Sequence, residues 1–165
     1  MQNRYEKLLD SLLAMSDETG VVEFNKYSDH FDHDKTGWYY SALSNEANLR
    51  DLECGWLVFG IDNKTHAAIG TSFLKDIRKQ NELKKNLGEH LSMNMNLHDI
   101  IEVSKDGKRV VMLKIPAAPA GIPVAYKRAC YGRDGESLVP LSLDKMERIR
   151  SQIKTTRVQV VFCIF

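Results

Sequence analysis

An α+β fold, a single domain with a mixed β-sheet flanked by helices, is the architecture this sequence predicts, and three observations predict it. Apolar residues follow a helical repeat in some stretches and form short β-rich runs in others, so helices and strands alternate along the chain. The pair Asp106-Gly107 separates two such runs, the pattern of an antiparallel hairpin, because Asp-Gly tolerates the positive φ that a tight turn requires. Across 165 residues there is neither an internal repeat nor a low-complexity linker, which leaves one layered core as the economical arrangement.

The elements follow in order. Arg4 to Met15 carries Tyr5, Leu8, Leu9, Leu12 and Leu13 at helical spacing, and Ser16-Asp17 interrupts the repeat. Val21 to Tyr27 reads as a strand, Ser28 to Lys35 as a polar loop and Trp38 to Leu49 as a helix. Trp56 to Ile61 is a continuous apolar run beside Gly55, short enough for a strand buried on both faces. A second short strand, Ala67 to Ile69, is expected to pair with it through the turn Asp62-Asn63-Lys64-Thr65. Phe73 to Met93 places Phe73, Leu74, Ile77, Leu83, Leu87 and Leu91 on a helical repeat, a helix or helix pair that exposes its lysines. Ile100 to Ser104 and Arg109 to Ile115 form the Asp-Gly hairpin, and Pro116, Pro119 and Pro123 mark an irregular connection. Val124 to Tyr131 reads as one strand, and Ser142 to Ile153 as a helix capped by Ser142. Residues 1–150 make up the domain and 151–165 a tail, whose apolar end, Val158 to Phe165, is an added strand, a dimer contact or the product of truncation.

Composition narrows the function classes. The chain is 43% hydrophobic and 27% charged, with a net charge of +1, as expected of a soluble protein. No apolar run approaches the roughly 20 residues a spanning helix needs, and the N-terminus does not read as a signal peptide, so a cytoplasmic, membrane-free protein is expected. Cys54, Cys130 and Cys163 have no metal-ligand spacing and read as free thiols. The cations are uneven: Lys75, Arg78, Lys79, Lys84 and Lys85 crowd one stretch, Lys127, Arg128 and Arg133 a second, and Lys145, Arg148, Arg150, Lys154 and Arg157 a third. Such grouping suits a polyanion surface and equally a solvated helix face.

Three acidic residues, Glu18, Glu23 and Asp62, fall at the ends of apolar runs. Carboxylates there are ligands for a hard metal ion, or they cap helices and close turns. The cluster Asp29-His30-Phe31-Asp32-His33-Asp34 has the donors for a transition metal, yet Asp-rich sequence before Lys35-Thr36-Gly37 reads better as an exposed loop. His66, His90 and His98 are isolated. Arg133, with Lys127, Arg128 and Tyr131, offers bidentate phosphate contacts and a stacking ring. On a continuous strand Lys127, Ala129 and Tyr131 would share one face and Arg128 the other. The competing reading pairs Arg133 with Glu136 or another acid.

The order of these motifs resembles the Schlafen AlbA-type domain family. The resemblance rests on Glu18 with Glu23-Phe24, on Ser41-Ala42-Leu43-Ser44-Asn45, on Trp56-Leu57-Val58-Phe59-Gly60-Ile61-Asp62, on Ile69-Gly70 and on Tyr131-Gly132-Arg133-Asp134-Gly135-Glu136-Ser137, and covers roughly residues 15 to 145. It implies a regulatory domain that binds DNA or RNA, with phosphate contacts expected from Lys127, Arg128 and Arg133. For some members it implies RNA cleavage by three carboxylates holding Mg²⁺ or Mn²⁺, for which the matching positions are Glu18, Glu23 and Asp62. A homodimer is a further expectation, since one domain offers a small binding surface. A nucleotide-binding module, the third class, would need a Gly-x-x-x-x-Gly-Lys-Ser/Thr loop, and the sequence contains none.

Overall fold

The central strand of the large sheet is apolar along its whole length because both of its faces are covered. In the computed structural model, which describes residues 3–15, 20–26, 32–97 and 99–162, the last ten by backbone alone, this strand is β2 (Cys54–Phe59). The sheet order is β1-β2-β4-β3, with β1 (Val22–Asn25) parallel to β2, and with β4 (Lys108–Pro116) antiparallel to both β2 and β3 (Ile100–Lys105). It is therefore the mixed sheet expected of the sequence. Trp56 and Val58 point to one face, where Leu9 and Leu12 of α1 (Arg4–Ala14) cover them together with Val110 and Met112. Leu57 and Phe59 point to the other, against Tyr40 and Leu43 of α2 (His33–Leu49) and Leu83 and Leu87 of α3 (Ile77–His90). Alternating faces on a strand whose two sides are both dry require the unbroken apolar run seen in the sequence.

A second sheet, order β5-β6-β7, is built from Ala125–Tyr126, Ala129–Asp134 and Ser137–Pro140. It shares no ladder with the first, and α2 stands between them. The polar residues of Ser41-Ala42-Leu43-Ser44-Asn45 do the joining. Ser41 Oγ donates to Val124 O (2.7 Å) and accepts from Tyr131 N–H (2.9 Å). Asn45 donates to Val124 O and Tyr131 O and accepts from Val124 N–H at 2.8 Å. Ser44 donates to Pro116 O at 2.8 Å. Buried serines and asparagines are tolerated here because each satisfies a carbonyl or N–H that would otherwise be buried alone. Gly37 permits the closest approach: a Cβ built there would lie 2.3 Å from the Tyr126 ring.

Several boundaries differ from expectation. The predicted loop over 28–35 ends at Asp32, whose side chain accepts from Asp34 N–H (3.0 Å) and caps a helix that starts at His33; acidic groups at a helix N-terminus are stabilised by its dipole. The rest of that cluster, Asp29, His30 and Phe31, lies outside the described residues, as do Tyr27, His98 and Cys163. Ala67 to Ile69 makes one bridge, Ile61 to Ala68, rather than a strand. The helix expected over 73–93 narrows to α3, which Asp76 caps, followed by a short 3-10 turn at Ser92–Asn94. The strand expected over 124–131 is two strands with a turn at Lys127-Arg128, so the expected sharing of faces by Lys127 and Tyr131 does not hold. Ser142 Oγ accepts from Lys145 N–H at 3.3 Å, as its capping role requires, and α4 (Leu143–Phe162) runs helical through residues 158–162, part of the stretch for which an added strand was one of three readings. Cys54 and Cys130 are free thiols. No helix among the described residues is long and apolar enough to cross a membrane.

Candidate functional site

The seam between α2 and β6 gathers most of the residues singled out from sequence. Residues 129, 131 and 133 share one face of β6, and α2 meets that face with Trp38, Tyr39, Ser41 and Asn45. At the inner end Arg133, only 4% exposed, donates from Nη1 to Glu23 Oε2 at 2.7 Å and lies 5.8 Å over the Tyr39 ring. Its Nε–H is buried and makes no hydrogen bond among the described residues. Glu46, 1% exposed, accepts from Arg133 N–H at 2.9 Å and from the Lys145 ammonium, which also donates to Arg133 O at 2.7 Å. Arg50 lies 3.7 Å from the second Glu46 oxygen. A buried carboxylate, Glu46, and a half-buried one, Glu23, thus clasp β6 and α4 to α2 and the edge strand β1 through Arg133 and Lys145.

Glu23 reaches this clasp because its register partner in the parallel pair is Leu57, so both point to the α2 face. Burial pushes its carboxyl above the usual glutamate range. The Arg133 charge and hydrogen bonds from Arg133 and Tyr39 oppose that shift without cancelling it, and Glu136 adds to it. Arg133 is therefore not a surface phosphate contact as expected from sequence. It is paired to an acid, and the acid is Glu23 rather than Glu136.

Asp62, a second carboxylate of the expected metal set, stands elsewhere. Asp62 follows the end of β2 and accepts from Lys64 N–H and Thr65 N–H, each at 2.9 Å, and these bonds hold its carboxyl below the usual aspartate range. It closes a turn. Glu18 lies outside the described residues. Glu23 and Asp62 are each held by different partners, and among the described residues no group of three His, Cys, Asp or Glu side chains is placed to hold an ion. Mg²⁺ or Mn²⁺ thus finds no ready donor set in these residues, and no step through a metal follows from them.

The outer end of the seam is the β5–β6 turn. Lys127 and Arg128 both have positive φ, 46° and 69°. The β3–β4 turn has the same form, with Asp106 at 51° and Gly107 at 72°. One hairpin uses the residues that sterics favour; the other places two long cations where left-handed backbone costs each on the order of 1–2 kcal/mol. Lys127 Nζ lies 2.7 Å from Asp34 Oδ1 and 5.7 Å over the Tyr126 ring. Asp34 also takes the Tyr126 hydroxyl at 2.8 Å, and the bonds from Lys127 and Tyr126 hold its carboxyl below the usual range. Arg128 is exposed, and its side chain makes no hydrogen bond, ion pair or ring contact with another described residue. Between the two ends, Tyr131 meets Trp38 at 6.1 Å between ring centroids.

Sequence reasoning placed Lys127, Arg128, Tyr131 and Arg133 in one neighbourhood and missed Trp38, Tyr39, Glu46 and Lys145. Glu46 and Lys145 carry no local signal of burial. The Trp38-Tyr39 pair, half-buried on a helix next to a predicted binding strand, was the available clue.

The sequence model of the family described as Schlafen, AlbA_2 matches residues 18–142. No curated protein matches. Among solved structures, the DIP2311 protein from Corynebacterium diphtheriae is similar with a TM-score of 0.60 and 21% identity, over 92% of this chain and 29% of that one. This chain thus spans less than a third of that protein, and at such identity the likeness is one of fold. The N-terminal domain of a protein from Nitrosomonas europaea, described as related to the ATP-dependent DNA helicase RecG, aligns at 20% identity over 86% of this chain and 95% of that one, with a TM-score of 0.49.

Proposed function

The chain belongs to the Schlafen AlbA_2 family, and from that premise we propose that it is a DNA- or RNA-binding domain whose phosphate contacts begin at Lys127 and Arg128. The observation that carries the reading is the contrast between the two hairpin turns. Identical backbone demands are met by Asp-Gly in one and by Lys-Arg in the other, and the Arg128 side chain makes no hydrogen bond, ion pair or ring contact among the described residues that would offset its cost. Strain retained at an exposed tip without an internal partner is characteristic of a side chain whose partner comes from outside. A guanidinium held there by a short, sheet-anchored turn presents its donors to a phosphate with little further loss of backbone freedom. Lys127 is tethered to Asp34 through a half-exposed pair, which a phosphate can replace at small cost because such pairs contribute only about 0–1 kcal/mol.

The test is fluorescence anisotropy of a labelled oligonucleotide over a salt series, with the parent and with Arg128→Glu. The variant is expected to bind more weakly, with the slope of log affinity against log salt lowered by at least about 0.7–0.9, the value for one phosphate contact. Equal binding by parent and variant at every salt concentration would overturn the reading.

A further inference from the structure

Beside the basic turn lies an aromatic pair whose polar groups make no hydrogen bond among the described residues. Arg128 leads into β6, and Tyr131 is three residues further on, about 10 Å along an extended strand. On α2, Trp38 lies one helical turn after Asp34, the carboxylate that holds Lys127. The Trp38 and Tyr131 rings are 6.1 Å apart and inclined at 35°, and both residues are half-buried. The surrounding tyrosines all spend their hydroxyls within the protein: Tyr40 on Asn96 O, Tyr126 on Asp34 and Asn86, Tyr39 on Glu23. The Trp38 indole N–H and the Tyr131 hydroxyl have no partner among the described residues, and neither atom is sealed from solvent. Aromatic rings that keep an open polar edge next to cations suit a ligand with both flat apolar faces and hydrogen-bonding edges.

We propose that this surface takes a single-stranded nucleic acid, with the backbone held at Lys127 and Arg128 and a base stacked on the Trp38–Tyr131 pair. The proposal rests on the nucleic-acid reading above and narrows it. A duplex keeps its base faces stacked on one another and shows only edges in its grooves, so rings set back against α2 are of no use to it. An unpaired strand offers both faces, and stacking on protein rings is tolerant of sequence. The charge order fits one strand running along β6, with cations at the tip for its phosphates and rings behind them for its bases. Arg133 plays no part in this contact, because Glu23 holds it in the interior.

The experiment compares a labelled single strand of mixed sequence, in RNA and DNA forms, with the matching duplexes at one salt concentration. The single strands are expected to bind at least tenfold more tightly than the duplexes and to quench tryptophan fluorescence. Trp38→Ala should weaken single-strand binding by about 5- to 150-fold, the range for loss of one stacked base, and leave duplex binding as it is. Trp38→Phe should restore most of the loss, and Tyr131→Ala gives an independent variant should Trp38→Ala fail to fold. Duplex binding as tight as single-strand binding, or single-strand binding indifferent to both ring deletions, overturns the inference while the phosphate reading stands. If neither form binds, both fall.

Discussion

Replacing the two turn cations by the residues their backbone prefers, Lys127→Asn with Arg128→Gly, should make the protein more stable and a weaker binder. Both positions sit at positive φ, where a residue with a long side chain costs on the order of 1–2 kcal/mol and glycine almost nothing. Against the relief stand two losses. Glycine adds freedom to the unfolded chain, about 0.4–1 kcal/mol. Removing the Lys127 ammonium deletes a half-exposed pair with Asp34, about 0–1 kcal/mol. The ladder bonds and the bond from Lys127 N–H to His90 O are backbone contacts and survive the change. The balance is a gain of about 1 kcal/mol, which for a chain of this size raises the melting temperature by about 2–4 °C. Thermal and urea unfolding measure that gain, and the anisotropy salt series on the same sample measures the loss of about two phosphate contacts. A lower melting temperature with unchanged binding would refute the argument, since it would make the Lys-Arg turn a stabilising feature with no ligand.

Two further outcomes follow from the interior. Gly37→Ala should cost about 1–3 kcal/mol or more by urea unfolding, because its Cβ would overlap the Tyr126 ring in a packed seam, whereas Gly88→Ala on α3 meets only the movable Asn96 side chain and should be neutral or stabilising; equal effects would discount the seam. Stability against pH should separate two acids. The raised Glu23 carboxyl contributes stability present below the ordinary glutamate value and lost as pH climbs through its folded value, so the parent should lose ground to Glu23→Gln on raising the pH through that window. The depressed Asp34 carboxyl does the reverse: its contribution is present above the ordinary aspartate value and lost on acidification, and Asp34→Asn should show the opposite trend. Urea midpoints across the acid range decide both, and a shared sign would refute the assignment.

What sequence could reveal was governed by how local the cause was. The Leu9 and Leu12 stripe of α1, the two-faced run of β2 and the Asp106-Gly107 turn each depend on neighbours a few residues away, and each was legible. The start of α2 was not, because Asp32-His33-Asp34 has the composition of a loop; only its place before a helix turns the first aspartate into a cap. The β5–β6 turn contradicts the rule that long side chains avoid left-handed backbone, so a reading built on that rule extends the strand through it. Arg133 and Glu23 are 110 positions apart, and the burial that turns an apparent phosphate ligand into a clasp arises only when the second sheet closes over α2. The residues were thus brought together as expected, and of the two readings open for Arg133 the structure shows the pairing with an acid.

The position of α2 between two sheets that share no ladder has a consequence for how the domain comes into being. Its polar stitches, Ser41, Ser44, Asn45 and Glu46, each take a hydrogen-bond partner at least 72 positions downstream, so the helix is not satisfied by its own neighbourhood alone. Until the C-terminal part of the chain arrives, those groups must remain in water, and the small sheet has nothing to form against. Closing such distant loops is slow and cooperative. The surface that carries Lys127, Arg128, Trp38 and Tyr131 therefore depends on contacts between distant parts of the chain, and no short segment of the sequence could present it alone.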